Sequence, residues 1–367
     1  MLEDARIGRM ARVLVEYSLE VRPGWMVTIS ATTAAVPLVQ AVYRQVLRVG
    51  GHPYVLLEPP GVKDLLMSTG SDEQLLHVDA YRLLMLEKSD AALEILSEEN
   101  THAAGDVDPA RQALMQQARA PLAALSMARI TEGRPRCLTL FPTNAYAQDA
   151  EMSLSAFEDF VFHACLLDGD EDPADRWRQV SREQQRIVDW LAGKREVRVE
   201  GPGTDLAMSI EGRNFVNSDG KRNFPSGEVF TSPVEDTVRG HITYSYPASY
   251  NGRTVQGVRL GFENGRVSGF SAEQGEDYLA AMLKVDEGAS KLGEFAIGTN
   301  PGVTRITRNV LFDEKMAGTI HCALGNAYPN AVGINKSAVH WDMVTDMRKG
   351  RVTVDGITLY ENGKFVI

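Results

Sequence analysis

The stretch WMVTISATTAAVPLVQAVYRQVLRVGGHPYVLLE, residues 25–58, decides the first half of the fold. It opens on a short β-like run, residues 25–30, set off by Pro23-Gly24. Val39, Val42, Tyr43, Val46 and Leu47 then recur at i, i+3, i+4, i+7 and i+8, the period of a helix with one apolar face. Gly50-Gly51 ends that helix, and residues 53–58 (PYVLLE) form an apolar run suited to a buried strand. Upstream, Ile7, Met10, Ala11 and Leu14 share one helical face. Downstream, residues 91–96 and 137–141 (CLTLF) read as strands, with an Ala- and Gln-rich helix from about Pro109 between them. Strands alternating with helices predict an α/β domain, a parallel sheet with helices on its faces. No GxGxxG or GxxxxGK[ST] loop occurs in this half, so it carries no dinucleotide or P-loop signature.

The pattern changes near residue 193. A helix through Val180, Ile187, Val188 and Leu191 stops at Gly193, and strand and turn signals follow. Residues 195–200 and 205–210 flank a Gly-Pro-Gly-Thr turn. Asn251-Gly252, Asn264-Gly265, Asp355-Gly356 and Asn362-Gly363 predict tight hairpins, because these pairs tolerate the positive φ angles that such turns need. Strands are predicted over 242–246, 254–262, 266–271, 351–354 and 358–360, with a helix over about 277–290. This half reads as α+β with antiparallel sheet. Two domains are therefore expected, residues 1–193 and 194–367.

Composition agrees with that division and excludes several classes. The 367 residues correspond to about two domains. Hydrophobic residues at 44% and charged residues at 24% exclude wholesale disorder, a collagen-like repeat and a membrane-spanning bundle. Thirty-eight basic against 49 acidic residues give a net charge of −11, which argues against general binding to nucleic acid or anionic membranes. Cys137, Cys165 and Cys322 are an odd, scattered set with no CxxC pair, so they read as buried free thiols of a reducing compartment. The N-terminus lacks the basic start and apolar block of a signal peptide. No apolar run approaches the roughly 18 residues of a membrane span. A cytoplasmic protein is expected.

The polar clusters that invite chemistry lie in the second half. His340-Trp341-Asp342 places an imidazole and a carboxylate on one face of an extended chain, a half-site for a divalent metal; a turn or a surface pair is the alternative. His321 stands among small apolar residues and is either a hydrogen-bonded core histidine or a ligand. Its neighbour Cys322 points to the opposite face of a strand, so no Cys-His nucleophile is expected. Glu228 and Glu294 each follow a glycine amid apolar residues, where a carboxylate is costly without a cation or donor. For Glu228 the alternative is a loop residue facing water. Asp313-Glu314 precede His321 by a few residues. Glu228, Glu294, Glu314, His321, His340 and Asp342 together suit a two-metal site better than one closed structural zinc.

Four segments, residues 224–233 (FPSGEVFTSP), 292–299 (LGEFAIGT), 312–329 (FDEKMAGTIHCALGNAYP) and 335–342 (NKSAVHWD), resemble the aminopeptidase T/aminopeptidase S family of dinuclear metallopeptidases, peptidase family M29. Residues 13–57 are similar to the same family's opening. The resemblance implies metal ligation by Glu228, Glu294, His321, His340 and Asp342. Glu314 matches a further acidic position, with two extra residues before the histidine. Tyr328 of NAYP matches a tyrosine near the family's site, and the segment from Tyr328 to His340 is shorter than in well-known members. The resemblance further implies two divalent ions per chain (Zn, Co, Mn or Mg), with Glu228, Glu294 and Tyr328 in catalysis. It also implies removal of the N-terminal residue from short peptides, and homodimers whose sites face an internal cavity. Two other readings fit the same residues. One is another dinuclear hydrolase, an amidase or a phosphoesterase, the latter weakened by the lack of an Arg or Lys cluster. The other is a non-catalytic dimeric binding protein, whose mark would be a lost ligand position.

Overall fold

A computed structural model describes residues 4–103, 105 and 107–367. By packing, the chain forms two compact units. The first comprises the chain up to Arg178 together with Gly220–Pro225, and the second comprises Gln179–Asp219 and Ser226–Ile367. The helix Pro173–Leu191 carries the chain from the first unit into the second, and the change of pattern read at residue 193 follows its end.

The first unit is the parallel sheet that the strand and helix alternation predicts. Its strands lie in the order His52–Glu58, Met26–Thr32, Ala91–Leu96, Arg136–Leu140 and Asn223–Phe224, every adjacent pair parallel. The helix Val36–Arg48 buries Leu38, Val39, Ala41, Val42 and Val46. Tyr43 and Leu47, predicted on the buried face, are exposed. The buried stripe is centred nearer Leu38 and Val42, and at about 100° per residue positions 43 and 47 fall on its rim. The edge strand Asn223–Phe224 was not predicted; it returns late in the sequence and pairs with Leu138 and Thr139.

The second unit has two large antiparallel sheets and a separate two-stranded hairpin, Ala248–Tyr250 with Arg253–Val255. The larger has eight strands, from Arg266–Ser271 at one edge to Lys364–Phe365 at the other. All four predicted Asn-Gly and Asp-Gly turns form two-residue hairpin loops with both residues at positive φ. The strand expected over 254–262 is broken into Arg253–Val255 and Arg259–Glu263. The helix expected over 277–290 is shorter, Glu276–Met282, because Asp286 accepts from the amides of Gly288 and Ala289 and turns the chain.

The smaller sheet has five strands in the order His340–Asp346, Thr319–Gly325, Leu292–Gly298, Glu228–Thr231 and Val216–Ser218. Side chains alternate across it with period 2. Val229, Phe295, Ile297, Ile320, Cys322, Leu324, Trp341 and Met343 join one core with Val197, Val199, Leu206 and Leu260 of the larger sheet. The intervening residues therefore project from the opposite face, and that face carries the polar cluster. Among the described residues, no helix is long and apolar enough to cross a membrane.

Candidate metal centre

The alternation that buries Phe295 and Ile297 sends Glu294 to the other face of the smaller sheet. The same parity places Glu228, His321, His340 and Asp342 on that face, so four strands contribute to one cluster. Register completes the convergence. Glu294 is paired with Ala323, and Ala323 with Asp342, so one methyl group separates two carboxylates in a single cross-strand row. His321 sits beside Ala296 in the adjoining row. Small residues between acids leave room for an ion.

Two glycines preceding the acids are required by close approach. A Cβ on Gly293 would stand 2.3 Å from the Asn326 carbonyl oxygen, where the ladder shifts register before Glu294. Gly227 has a φ of +119°, and a Cβ there would meet Asn300 Cβ at 2.7 Å. Gln184 supports the Glu228 strand from behind, donating to the Glu228 carbonyl (3.3 Å) and to Asn217 Oδ1 (2.6 Å).

The side chains meet through oxygen and nitrogen atoms that face one another. His321 Nε2 lies 3.4 Å from Glu228 Oε2 and 3.6 Å from Glu294 Oε1. His340 Nε2 lies 3.3 Å from Glu294 Oε2 and 3.5 Å from Asp342 Oδ1. His340 Nδ1 is 2.8 Å from the Asn326 carbonyl and donates to it, which turns Nε2 toward the carboxylates. Three overlapping groups, Glu228-Glu294-His321, Glu294-His340-Asp342 and Glu314-His321-Asp342, each present ligand atoms within 4.8 Å of one another.

Electrostatics show how much positive charge this cluster demands. Burial alone would lower the pKa of both imidazoles. For His321, Glu294, Glu228 and Glu314 outweigh burial and raise it to about 9. For His340, Asp342 and Glu294 raise it to about 12. Burial would raise the Asp342 carboxyl, yet His340, His321 and Lys315 hold it below its ordinary value. Glu314 is pushed up, by burial first and by neighbouring Asp342 and Glu228, against the pull of Lys315. Burial and the surrounding carboxylates also raise the Tyr328 hydroxyl well above its usual range.

The donor set fits a divalent metal. Both ring nitrogens of His321, Oε2 of Glu228 and Oδ1 of Asp342 are buried and make no hydrogen bond among the described residues. Buried polar atoms are normally satisfied, so unpaired carboxylate and imidazole atoms gathered in one cluster fit a cation as their partner. Carboxylate oxygens and imidazole nitrogens suit zinc, cobalt or manganese.

The candidate residues Glu228, Glu294, Glu314, His321, Tyr328, His340 and Asp342 all lie at or beside this cluster, whereas Cys322 joins the core on the other face. Asp313 turns away and accepts from the Thr307 amide (2.7 Å) and hydroxyl (2.9 Å), and burial raises its pKa to about 7. Tyr328 packs on Phe230, and its hydroxyl lies 3.3 Å from His340 Nε2. One charged residue of the cluster escaped the sequence reading. Lys315 is fully buried, and its ammonium donates to Glu228 Oε1 (2.8 Å) and to Glu314 Oε1. In the sequence it is one lysine beside two acids in LFDEKMAGTI, with no local mark of its burial.

The chain is similar to known proteins in both sequence and fold. The chain is 28% identical to aminopeptidase 2 of Geobacillus stearothermophilus over 396 residues, covering 97% of this chain and 94% of that one. Its fold matches wild-type AmpT from Thermus thermophilus with a TM-score of 0.87 at 23% identity, over 99% of both chains. It also matches 2,5-dihydroxypyridine dioxygenase from Pseudomonas putida KT2440, with a TM-score of 0.64 at 14% identity, over 100% of this chain and 98% of that one. One scaffold thus carries unlike chemistries, and the chemistry must be argued from the site. The family model described as thermophilic metalloprotease (M29) matches residues 3–365, nearly the whole chain, and the protein belongs to the M29 metallopeptidase family.

Proposed function

We propose that the protein is a metal-dependent aminopeptidase that removes the N-terminal residue from short peptides. The observation that carries this reading is the convergence of Glu228, Glu294, His321, His340 and Asp342 on one sheet face, with unsatisfied atoms facing inward. Two divalent ions are assigned, one to Glu228, Glu294 and His321, the other to Glu294, His340 and Asp342. Glu294 would serve both ions, since its two oxygens face different imidazoles. Bound metal supplies Lewis acidity at the scissile carbonyl and lowers the pKa of water toward neutrality.

The chain's own residues do the rest. The carboxylates of the cluster give a free α-amino group a site of opposite charge, which limits cleavage to the first residue. Glu228 and Glu294 are the carboxylates that face His321, and one of the two would take the proton lost by the attacking water as its oxygen exchanges with the ion. Tyr328 offers its hydroxyl to the negative charge that develops on the carbonyl oxygen. Its ring is held between Phe230, at 5.2 Å between centroids, and His340, at 4.9 Å. The family resemblance adds a homodimer, and the buried free thiols Cys137, Cys165 and Cys322 fit a reducing cytoplasm.

The test is direct. Metal-free protein should not hydrolyse amino-acid p-nitroanilides, and Zn(II), Co(II) or Mn(II) should restore turnover. Activity that survives thorough chelation, or its absence with every metal, defeats the proposal. Ultracentrifugation checks the dimer.

A further inference from the structure

The strongest feature that the proposed reaction does not use is Lys315. A lysine without solvent exposure is costly unless it is paired. Its ammonium meets two carboxylates, Glu228 through Oε1 at 2.8 Å and Glu314 through Oε1. The backbone here is clamped. The Lys315 carbonyl accepts from the Asn300 amide (2.9 Å), the Asn300 carbonyl accepts from Ala317 (3.0 Å), and Asn300 Nδ2 donates to the Ser226 carbonyl (2.8 Å). A Cβ on Gly298 would stand 2.2 Å from the Met316 carbonyl oxygen, so strand and segment lie against each other. The ammonium is therefore built into the cluster from a fixed support.

We propose that Lys315 is a resident cation of the metal centre, which takes Glu314 out of the ligand set and leaves Glu228 a one-oxygen ligand. This rests on the reading of the cluster as a metal centre. The two oxygens of Glu228 are divided, Oε1 to Lys315 and Oε2 toward His321. Glu314 likewise has one oxygen, Oε1, committed to the same ammonium, and it differs from Glu228 in what its remaining oxygen can join. The one metal-capable group that includes Glu314 borrows His321 from the first ion's ligands and Asp342 from the second's, so it adds no independent site. Five side chains then hold metal, and Lys315 is a positioning residue acting through Glu228. With Lys315 removed, Glu228 and Glu314 face each other as an unneutralised acid pair, a new position for a divalent ion.

The experiment counts ions. Wild-type protein, Glu314→Gln, Lys315→Met and Glu294→Gln are loaded with Zn(II), freed of excess, and assayed for zinc per chain by elemental analysis. Folding is checked by circular dichroism. Glu314→Gln should keep the wild-type count, and Lys315→Met should gain one ion. Loss of an ion from Glu314→Gln overturns the proposal, as does an unchanged count in folded Lys315→Met. If Lys315→Met does not fold, the Glu314→Gln count decides alone. A failure of the underlying metal reading looks different, because zinc would then be absent from wild type or unaffected by Glu294→Gln.

Discussion

Glu294→Gln is the sharpest perturbation of the centre, because this one carboxylate faces both imidazoles, at 3.6 Å from His321 and 3.3 Å from His340. The side chain keeps its shape and loses one charge. Two unit charges about 4 Å apart interact by about 4 kcal/mol at an effective dielectric of about 20, and a divalent ion doubles that, to an upper bound of about 8 kcal/mol. The amide oxygen of glutamine still offers a dipole, and the other acids remain. A loss of about 100-fold in metal affinity, about 2.8 kcal/mol, is therefore the least to expect. Affinity also has a readout in stability. At a free metal concentration of about 100 times Kd, binding stabilises the fold by about 2.7 kcal/mol. For a unit of the size of Gln179–Asp219 plus Ser226–Ile367, that raises Tm by about 5–10 °C. In the variant, the same concentration equals the weakened Kd, and the gain falls to about 0.4 kcal/mol, about 1 °C. Chelator competition measures the affinity and calorimetry measures the shift. A variant that keeps the wild-type chelator midpoint within about threefold, or the full metal-dependent rise in Tm, refutes the assignment of Glu294 as the shared ligand.

Three further outcomes are expected. Ala323→Leu, between Glu294 and Asp342 in their cross-strand row, should fill the space for the ion and abolish metal uptake, while overpacking costs about 1–3 kcal/mol; full zinc content in the folded variant would show that the ion sits elsewhere. Tyr328→Phe should lower kcat about 100-fold with metal content unchanged; wild-type kcat would remove the hydroxyl from the reaction. Arg213→Met should destabilise the protein in urea by about 3 kcal/mol, because it strands a buried Glu235 that also accepts from the Ile334 amide at 2.9 Å; a loss below about 1 kcal/mol would mean that this pair contributes no more than a surface one.

The features legible in the sequence were those fixed by local geometry. Asn264-Gly265 and its three counterparts form hairpins because two consecutive positive φ angles admit few residue types. His340 and Asp342 share a face because a strand repeats every two residues, and no tertiary information is needed to see it. Lys315 was illegible for the opposite reason. Nothing local distinguishes a lysine beside Glu314 from an exposed one; its burial is decided by Glu228, 87 positions away. The two-residue strand Asn223–Phe224 has no periodicity to read, and only its pairing with Leu138 and Thr139 makes it a strand. The early end of the helix at Met282 likewise depends on tertiary contact, since the Asp286 that turns the chain also accepts from the Ser337 hydroxyl (3.0 Å) and the Ala338 amide (2.7 Å).

The position of the centre on the sheet accounts for its chemistry. The strands Leu292–Gly298 and Thr319–Gly325 are buried at every residue, because one face meets the core and the other faces the polar cluster. Such strands do not read as half-polar, and their few ionisable residues stand out as violations of an apolar pattern. Each violation costs stability, since a buried carboxylate has lost its water. Four are gathered here, Glu228, Glu294, Glu314 and Asp342, while Lys315 offsets only one charge. Protons on His321 and His340 can offset two more, which is the sense of their raised pKa values. A divalent ion must displace those protons, so uptake should release protons and strengthen with rising pH. The strain of packing like charges in a sheet interior and the affinity for metal are thus one quantity seen from two sides. The rigid ladder prevents the acids from relaxing apart, and a cation is the remaining way to lower their energy.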